Sequence, residues 1–376
     1  MMRKICYITG TRADFGLIQS TLTKINQHPE LQLSLAVTGM HLDPKFGLTQ
    51  KEIFACKLDT YVVDSCLNDD SRLSISCSIS EQLKGLSILF TKLIPDLILV
   101  LGDRGEMLAA AIAALYMNIP VAHIHGGERS GTIDESIRHA ISKLSHFHFV
   151  ATNESKTRLI RMGEKEENIF ITGAPGLDDI LNIQLPTKGK IFNSLLLNPQ
   201  EKLLTLIYHP VVQDAESAGE DIKKILNSIP QGLQTIILLP NADTGGNLIR
   251  SEIFKYATKR NNIKIVTHLH RELYLSLIAY SDVLMGNSSS GIIEAASFGT
   301  RVINIGERQN NRERNRNVID VPIDTLLISN YLEESLSAEK IITSNIYGDG
   351  NAGERITNLL ATLRLDNDIT KKCNTY

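Results

Sequence analysis

Short apolar runs alternate with amphipathic stretches along nearly the whole chain, and this alternation restricts the fold more than any other feature. In the first half, strand-like runs occupy residues 5–9, 33–38, 97–101, 121–125, 147–151 and 169–172. Helical patterns lie between them, at 18–25, 83–93, 107–116 and 133–144. Strand and helix in succession predict parallel strands joined by crossover helices, hence an α/β fold with doubly wound sheets. The pattern then restarts, with strands expected at 203–208, 235–239, 263–267, 282–285 and 302–305 and helices at 222–226, 273–280 and 292–296. Two consecutive Rossmann-like domains facing a cleft are therefore expected. We place the first at 1–172 and the second at 173–350. A helical tail at 351–376 is expected to pack back on the first domain. The Gly- and Pro-containing run GAPGLDD, residues 173–179, reads as the linker.

Composition narrows the function. At 376 residues the chain exceeds what one hydrophobic core organises. A net charge of −3 gives no general attraction to nucleic acid or to an anionic membrane. The five cysteines (Cys6, Cys56, Cys66, Cys77, Cys373) include no CxxC pair, which suits reduced thiols in the cytoplasm rather than a disulfide framework or a zinc site. No apolar run approaches the roughly 20 residues of a membrane span.

In an open α/β sheet the carboxyl ends of strands line the ligand crevice, so polar groups placed there are the first candidates. The stretch 100–144 holds two such ends, with Asp103, Arg104, His123, His125, Glu128 and Asp134 close together in sequence. Asp103-Arg104 follows an apolar strand and suits a general base beside a phosphate-holding cation. In HIHGGE (123–128), alternation would put both imidazoles on one strand face. The HxH spacing recurs at 146/148 and 268/270, but no Cys or carboxylate cluster completes a ligand set, so no metal is expected. Thr132 and Glu135 fit a capping box, which leaves Asp134 free of a capping role. In GTRADFG (10–16) backbone N–H groups and Arg12 are candidates for holding an anion. In GNSSSG (286–291) Ser288 and Ser289 suit phosphate oxygens, and Glu294 suits a ribose. His209 precedes Pro at a strand end, PNAD (240–243) ends another strand, and Arg308 and Arg312 follow a third. Together these make the second half suited to a nucleoside diphosphate.

Taken in order, GTRADFG, TGMHLD, LGDR, HIHGGE, TIDESIRHAI, HP, PNAD, GNSSSG and IYGDGNA resemble the hydrolysing UDP-N-acetylglucosamine 2-epimerases of sialic acid synthesis, from Ile5 to about Leu360. The resemblance implies a fold like the GT-B glycosyltransferases, no cofactor, UDP held mainly by the C-terminal domain, and a homo-oligomer (dimer or tetramer). It implies elimination of UDP across C1 and C2 of the sugar to a 2-acetamidoglycal, then hydration with C2 protonated on the other face. Carried over by position, Asp103 and Asp134 are the acid/base groups, and His209 meets the diphosphate or the leaving oxygen. Arg12, Arg104, Ser288 and Ser289 meet phosphate oxygens. Asn241 and Asp243 lie near the substrate, Leu269 near the uracil, Glu294 on the ribose, His41 in the sugar pocket, and Arg308 at the sugar or phosphate.

The chain departs from the animal and non-hydrolysing relatives at one position. Their catalytic Glu, two residues after the first His of the loop, is His125 here. Either His125 or Glu128 is expected to take over its proton transfer. The HIHGGE loop weighs against a non-hydrolysing epimerase, a GT-B transferase would need an acceptor, and the carboxylates at Asp103 and Asp134 weigh against a nucleotide-sugar sensor. The preferred substrate is UDP-GlcNAc, giving N-acetylmannosamine. The alternative is UDP-N,N′-diacetylbacillosamine, giving 2,4-diacetamido-2,4,6-trideoxymannose for legionaminic acid.

Overall fold

The computed structural model describes residues 2–65, 69, 71–130, 133–178, 180, 185–240, 243–365 and 369–375. The chain divides into two compact units, one comprising Met1–Glu128, Asp134–Leu181 and Tyr347–Tyr376, the other Arg129–Ile133 and Asn182–Ile346.

In the first unit the strands are β1 (Arg3–Thr9), β2 (Leu31–Val37), β3 (Asp59–Val62), β4 (Leu97–Leu101), β5 (Val121–Ile124), β6 (Phe147–Val150) and β7 (Ile169–Ile171). They form one parallel sheet in the order β3-β2-β1-β4-β5-β6-β7. The intervening helices are α1 (Arg12–Gln27), α2 (Gln50–Ala55), α3 (Arg72–Leu93), α4 (Gly105–Tyr116), α5 (Ile133–Leu144) and α6 (Asn153–Arg161). Alternation along the strands builds two cores. Ile5, Tyr7, Leu33, Leu35, Leu97 and Leu99 pack on one face with Ile18, Leu22 and Ile25 of α1. Cys6, Ile8, Ala36, Ile98 and Val100 pack on the other with Leu86 and Phe90 of α3 and the buried alanines of α4.

The second unit carries β8 (Leu203–Ile207), β9 (Gln234–Leu238), β10 (Ile263–Val266), β11 (Val283–Gly286), β12 (Arg301–Ile305) and β13 (Val318–Val321). These form a second parallel sheet in the order β10-β9-β8-β11-β12-β13. Its helices are α7 (Lys188–Ser194), α8 (Ala218–Asn227), α9 (Gly246–Ala257), α10 (Arg271–Tyr280), α11 (Ser289–Ile293) and α12 (Thr325–Ser337). Leu204, Leu206, Val283, Met285 and Ile303 pack against Ile222, Ile249 and Ile328 in its main core. The last helix, α13 (Ala352–Thr362), returns to the first unit, where Ile356 and Leu360 enter the core beneath α1.

In each sheet the strand order reverses direction once, between β1 and β4 and between β8 and β11. Such switch points are where open α/β sheets bind ligands. Strands β3 and β13 are absent from the expectations above. Both lie at sheet edges, and DTYV and VIDV carry a charge that breaks up an apolar run. The stretch read as a linker is also corrected. Up to Asp178 it is built into the first unit, because the Asp178 carboxylate accepts from Ala352 N (2.9 Å) and Gly353 N (2.6 Å) at the start of α13. A carboxylate at a helix N-terminus is favoured by the macrodipole.

Candidate active site

The loop after β1 is organised by Asp14. Thr11 caps α1, accepting from Asp14 N at 3.1 Å. The Asp14 carboxylate in turn accepts from Thr11 N (2.7 Å), Gly10 N (3.1 Å), the Thr11 hydroxyl (2.9 Å) and the Thr9 hydroxyl. Burial raises the Asp14 pKa, opposed by these hydrogen bonds. The N–H groups of Gly10 and Thr11, read above as an anion cradle, therefore already hold an internal carboxylate. Arg12, half-buried, pairs through Nε with Glu52 Oε2 at 2.6 Å. Gly10 has a packing reason: a Cβ there would lie 2.7 Å from Cγ of the buried Glu106. Glu106 sits 3.3 Å from Nε of Arg104.

His41 requires a correction. It is fully buried, with Nε2 at 2.9 Å from the Thr9 hydroxyl and Nδ1 at 2.7 Å from the Thr49 hydroxyl. Burial lowers its pKa to about 4, so the ring is neutral. With both nitrogens engaged it braces the loops after β1 and β2 and does not present a polar atom to a sugar.

His123 is likewise internal. Its Nε2 lies 2.7 Å from the Gly102 carbonyl, which only accepts, so Nε2 donates and Nδ1 receives the Ser142 hydroxyl at 3.1 Å. Burial pushes its pKa well below 6.5, against the pull of that carbonyl. Strand β5 ends at Ile124, and His125 turns into the left-handed region at φ 64°. The alternation expected to align the two imidazoles thus stops one residue short. His146 and His148 are structural: His146 Nδ1 accepts from Val121 N at 3.1 Å, and His148 Nε2 meets Glu164 at 3.0 Å.

The residue that sequence reasoning missed is Arg138. It is 2% exposed, on α5, and its guanidinium joins three expected site residues. Nη2 donates to Asp103 Oδ2, Nη1 donates to the His125 carbonyl at 2.9 Å, and Nη1 lies 3.7 Å from Glu128 Oε2. Glu128 is buried, and its Oε1 is hydrogen-bonded to His125 Nδ1. Asp103 remains partly exposed at 21%. Asp134 stands partly exposed in the first turn of α5, one helical turn from Arg138. Glu135 lies 3.7 Å from His139 Nε2, and Thr132, its expected capping partner, is outside the described residues. The available signal for Arg138 was its place three residues before Ile141, on the buried face of α5.

In the second unit Asn287 plays the corresponding part. Its Oδ1 accepts from His209 N at 2.7 Å and its Nδ2 donates to the His209 carbonyl at 2.8 Å. Its own carbonyl accepts from Arg308 Nη1 (3.2 Å) and Gln309 Nε2 (3.0 Å). One buried amide thus fixes the ends of β8 and β11 and the Arg308 loop together. Ser288 caps α11, Ser289 is its first residue, and Ser290 receives the Tyr274 hydroxyl at 2.5 Å. Glu294 is buried and ion-paired with Arg271 of α10, immediately after the Leu269-His270 turn. Asp243 is half-buried in the loop before α9; Asn241 lies outside the described residues.

Comparison with known proteins gives these two clusters a family. The family model described as UDP-N-acetylglucosamine 2-epimerase matches residues 23–361. A UDP-N,N′-diacetylbacillosamine 2-epimerase (hydrolyzing) of Legionella pneumophila is 50% identical over 378 residues, covering 100% of both chains. The chain belongs to the UDP-N-acetylglucosamine 2-epimerase family. A second relative in this family, polysialic acid biosynthesis protein P7 of Escherichia coli, is 36% identical over 99% of this chain and 96% of its own. Among solved structures, the UDP-GlcNAc 2-epimerase of Methanocaldococcus jannaschii in complex with UDP-GlcNAc and UDP superposes with a TM-score of 0.80 at 20% identity, over 95% of this chain and 99% of that one. The α/β fold with two parallel sheets is therefore that of the GT-B-like epimerases.

Proposed function

We propose that this family member is a hydrolysing 2-epimerase whose substrate is UDP-N,N′-diacetylbacillosamine and whose products are UDP and 2,4-diacetamido-2,4,6-trideoxymannose. The observation that carries the substrate is the 50% identity, over the full length of both chains, to a hydrolysing enzyme named for that sugar. This reverses the order of the two substrates preferred from sequence. The same reaction on UDP-GlcNAc is the second reading, favoured by the polysialic acid relative.

In the reaction proposed, Asp103 takes the C2 proton as the C1–O bond to UDP breaks, leaving UDP and a 2-acetamidoglycal. Water oxygen then bonds to C1, C2 gains a proton on the opposite face, and Asp134 takes the proton that water loses. General acid/base groups of this kind contribute about 10²–10⁴-fold each. Arg138 supports the assignment of Asp103, since its guanidinium donates to that carboxylate and aims it. The departing diphosphate is assigned to the side chains of Arg12, Arg104, His209, Ser288, Ser289 and Arg308, which suit an anion as donors or cations. Asn241 and Asp243 are assigned to the substrate, Leu269 to the uracil and Glu294 to the ribose. We assign the working form to a cytoplasmic homo-oligomer. Among the described residues no helix is long and apolar enough to cross a membrane.

The test is incubation of the purified protein with each UDP-sugar in D₂O, with the released sugar identified by NMR. Release of UDP with a 2-epimerised free sugar deuterated at C2 is expected, faster from the diacetylbacillosamine substrate. A UDP-linked product, or no deuterium at C2, overturns the reaction. Faster turnover of UDP-GlcNAc overturns the substrate.

A further inference from the structure

Inversion at C2 through a planar glycal needs a proton removed on one face and another supplied on the opposite face. The reaction proposed above names the acceptor, Asp103, but no donor. Building on that reaction, we propose that His125 and Glu128 act as one unit: the imidazole Nε2 delivers the proton to C2, and Glu128 is its positioning residue.

Glu128 itself is poorly placed to act on a sugar. Its Oε1 is spent on His125 Nδ1 and its Oε2 faces Arg138 Nη1 at 3.7 Å; the Glu128 and His125 side chains are equally buried, so these contacts and not burial separate them. Accepting at Nδ1, the carboxylate leaves Nε2 as the nitrogen available for exchange, and no hydrogen bond to Nε2 is present among the described residues. The backbone of His125 is pinned from both sides. Its N–H donates to the Phe149 carbonyl at 3.0 Å, and its carbonyl accepts from Arg138 at 2.9 Å. A side chain other than Gly at φ 64° is strained by about 1–3 kcal/mol, a conformation kept where the surroundings enforce it and common at functional sites. Beyond it, Arg158 Nη1 donates to the Gly127 carbonyl, and Gly127 (φ 72°) lies so close to α6 that a Cβ would sit 2.5 Å from the Ser155 carbonyl oxygen. The turn is therefore fixed, and the Glu128 hydrogen bond holds the imidazole within it.

Arg138 couples this unit to Asp103, because one guanidinium holds the Asp103 carboxylate and the His125 backbone. The acceptor's carboxylate and the donor's backbone are thereby tied to one guanidinium. Atoms balance as follows. Asp103 gains the substrate's C2 proton while UDP leaves with the C1–O electron pair. The imidazolium loses its Nε2 proton to C2, water bonds to C1, and Asp134 takes the proton water loses. Exchange with solvent resets all three groups, with the net uptake of one water and no redox change. Of the ionisable groups, Glu128 from its own turn meets the ring, Arg138 on α5 holds the His125 carbonyl, and His123 on β5 is within electrostatic reach. Of these, Glu128 alone makes a direct hydrogen bond to the ring among the described residues.

A donor that must be protonated makes turnover fall as pH rises through its pKa. Removing the partner carboxylate weakens the imidazolium, so that fall moves to lower pH. The experiment measures kcat and kcat/KM against pH for wild type, Glu128→Gln, His125→Gln and His125→Glu, and titrates the His125 ring by NMR in wild type and Glu128→Gln without substrate. Expected are a loss of about 10²-fold or more in kcat for His125→Gln with KM little changed, partial recovery in His125→Glu with the fall displaced toward acid, and a fall displaced by about one pH unit or more toward acid in Glu128→Gln. An unmoved pH profile in Glu128→Gln, or near-normal kcat in His125→Gln, overturns the proposal while UDP release by wild type keeps the reaction standing. If wild type releases no UDP from either sugar, the reaction itself fails. The ring titration then decides the pairing alone: an unchanged pKa in Glu128→Gln overturns it.

Discussion

A guanidinium that is 2% exposed on an otherwise amphipathic helix is costly to desolvate unless charges and carbonyls receive it. Arg138 meets that condition with Asp103, the His125 carbonyl and nearby Glu128. Lysine offers one point charge where two N–H groups at fixed angles are used. Arg138→Lys is therefore expected to lower kcat by about 10²-fold with little change in KM, because a small misplacement of reacting groups has that effect. Steady-state kinetics checks this; an unchanged kcat means that the fork is structural only. Arg138→Met is expected to lose about 3–5 kcal/mol of stability in urea unfolding, since it removes the buried cation that Asp103 and Glu128 face. From sequence, Asp103 and Glu128 were legible as carboxylates at strand ends, but Arg138 was not. An arginine amid helical polar residues reads as solvated, and its spacing to Ile141 was the one sign that it turns inward. His41 failed in the opposite sense, because two threonine hydroxyls absorb its nitrogens and neither announces itself in the motif.

At the scale of elements, the strand–helix alternation carried most of the fold, since central parallel strands must be apolar on both faces. Edge strands need not be, and β3 and β13 went unread for that reason. The β8–β11 junction shows how tightly the switch point of the second sheet is built. Gly286 has φ 129°, and a Cβ there would lie 2.0 Å from the Ile207 carbonyl oxygen. That approach lets Asn287 N reach the same carbonyl at 3.0 Å, which aligns its amide with His209. Gly286→Ala is expected to cost about 3 kcal/mol or more, through forced separation of the two strand ends. It should also weaken UDP binding strongly. Thermal unfolding and calorimetric titration with UDP read the two effects; normal values of both mean that the junction tolerates the methyl.

At the scale of the molecule, charge ties the end of the chain to the first unit. The buried Glu164 carboxylate accepts from Lys143 (2.7 Å) and His148 (3.0 Å) and pairs with Lys372 (2.6 Å). Lys372 also donates to the carbonyls of Ser142, Lys143 and Ser145 at the end of α5. Burial alone would raise the Glu164 pKa, but hydrogen bonds from His148, Lys143 and Lys372 outweigh it and hold the pKa at about 2, below the usual 4.5. A lowered folded-state pKa contributes stability that is present above 4.5 and lost as pH falls toward 2. Urea midpoints are expected to drop across that window in wild type and to drop less in Glu164→Gln; parallel curves would show that the cluster contributes nothing. The tail's path was readable only in part, because the helical periodicity of α13 was clear while Asp178, which caps it, looked like part of a linker. Asp178 and α13 also bear on how the protein is made. Ile356 and Leu360 belong to the core of the first unit, yet they leave the ribosome after the whole of 182–346. The second unit is contiguous over that span and can close while translation continues. The first must wait, with the apolar side of α1 and its sheet incompletely covered, until the final helix emerges. Synthesis thus delays the half that carries Asp103 and Arg138 until α13 has been made.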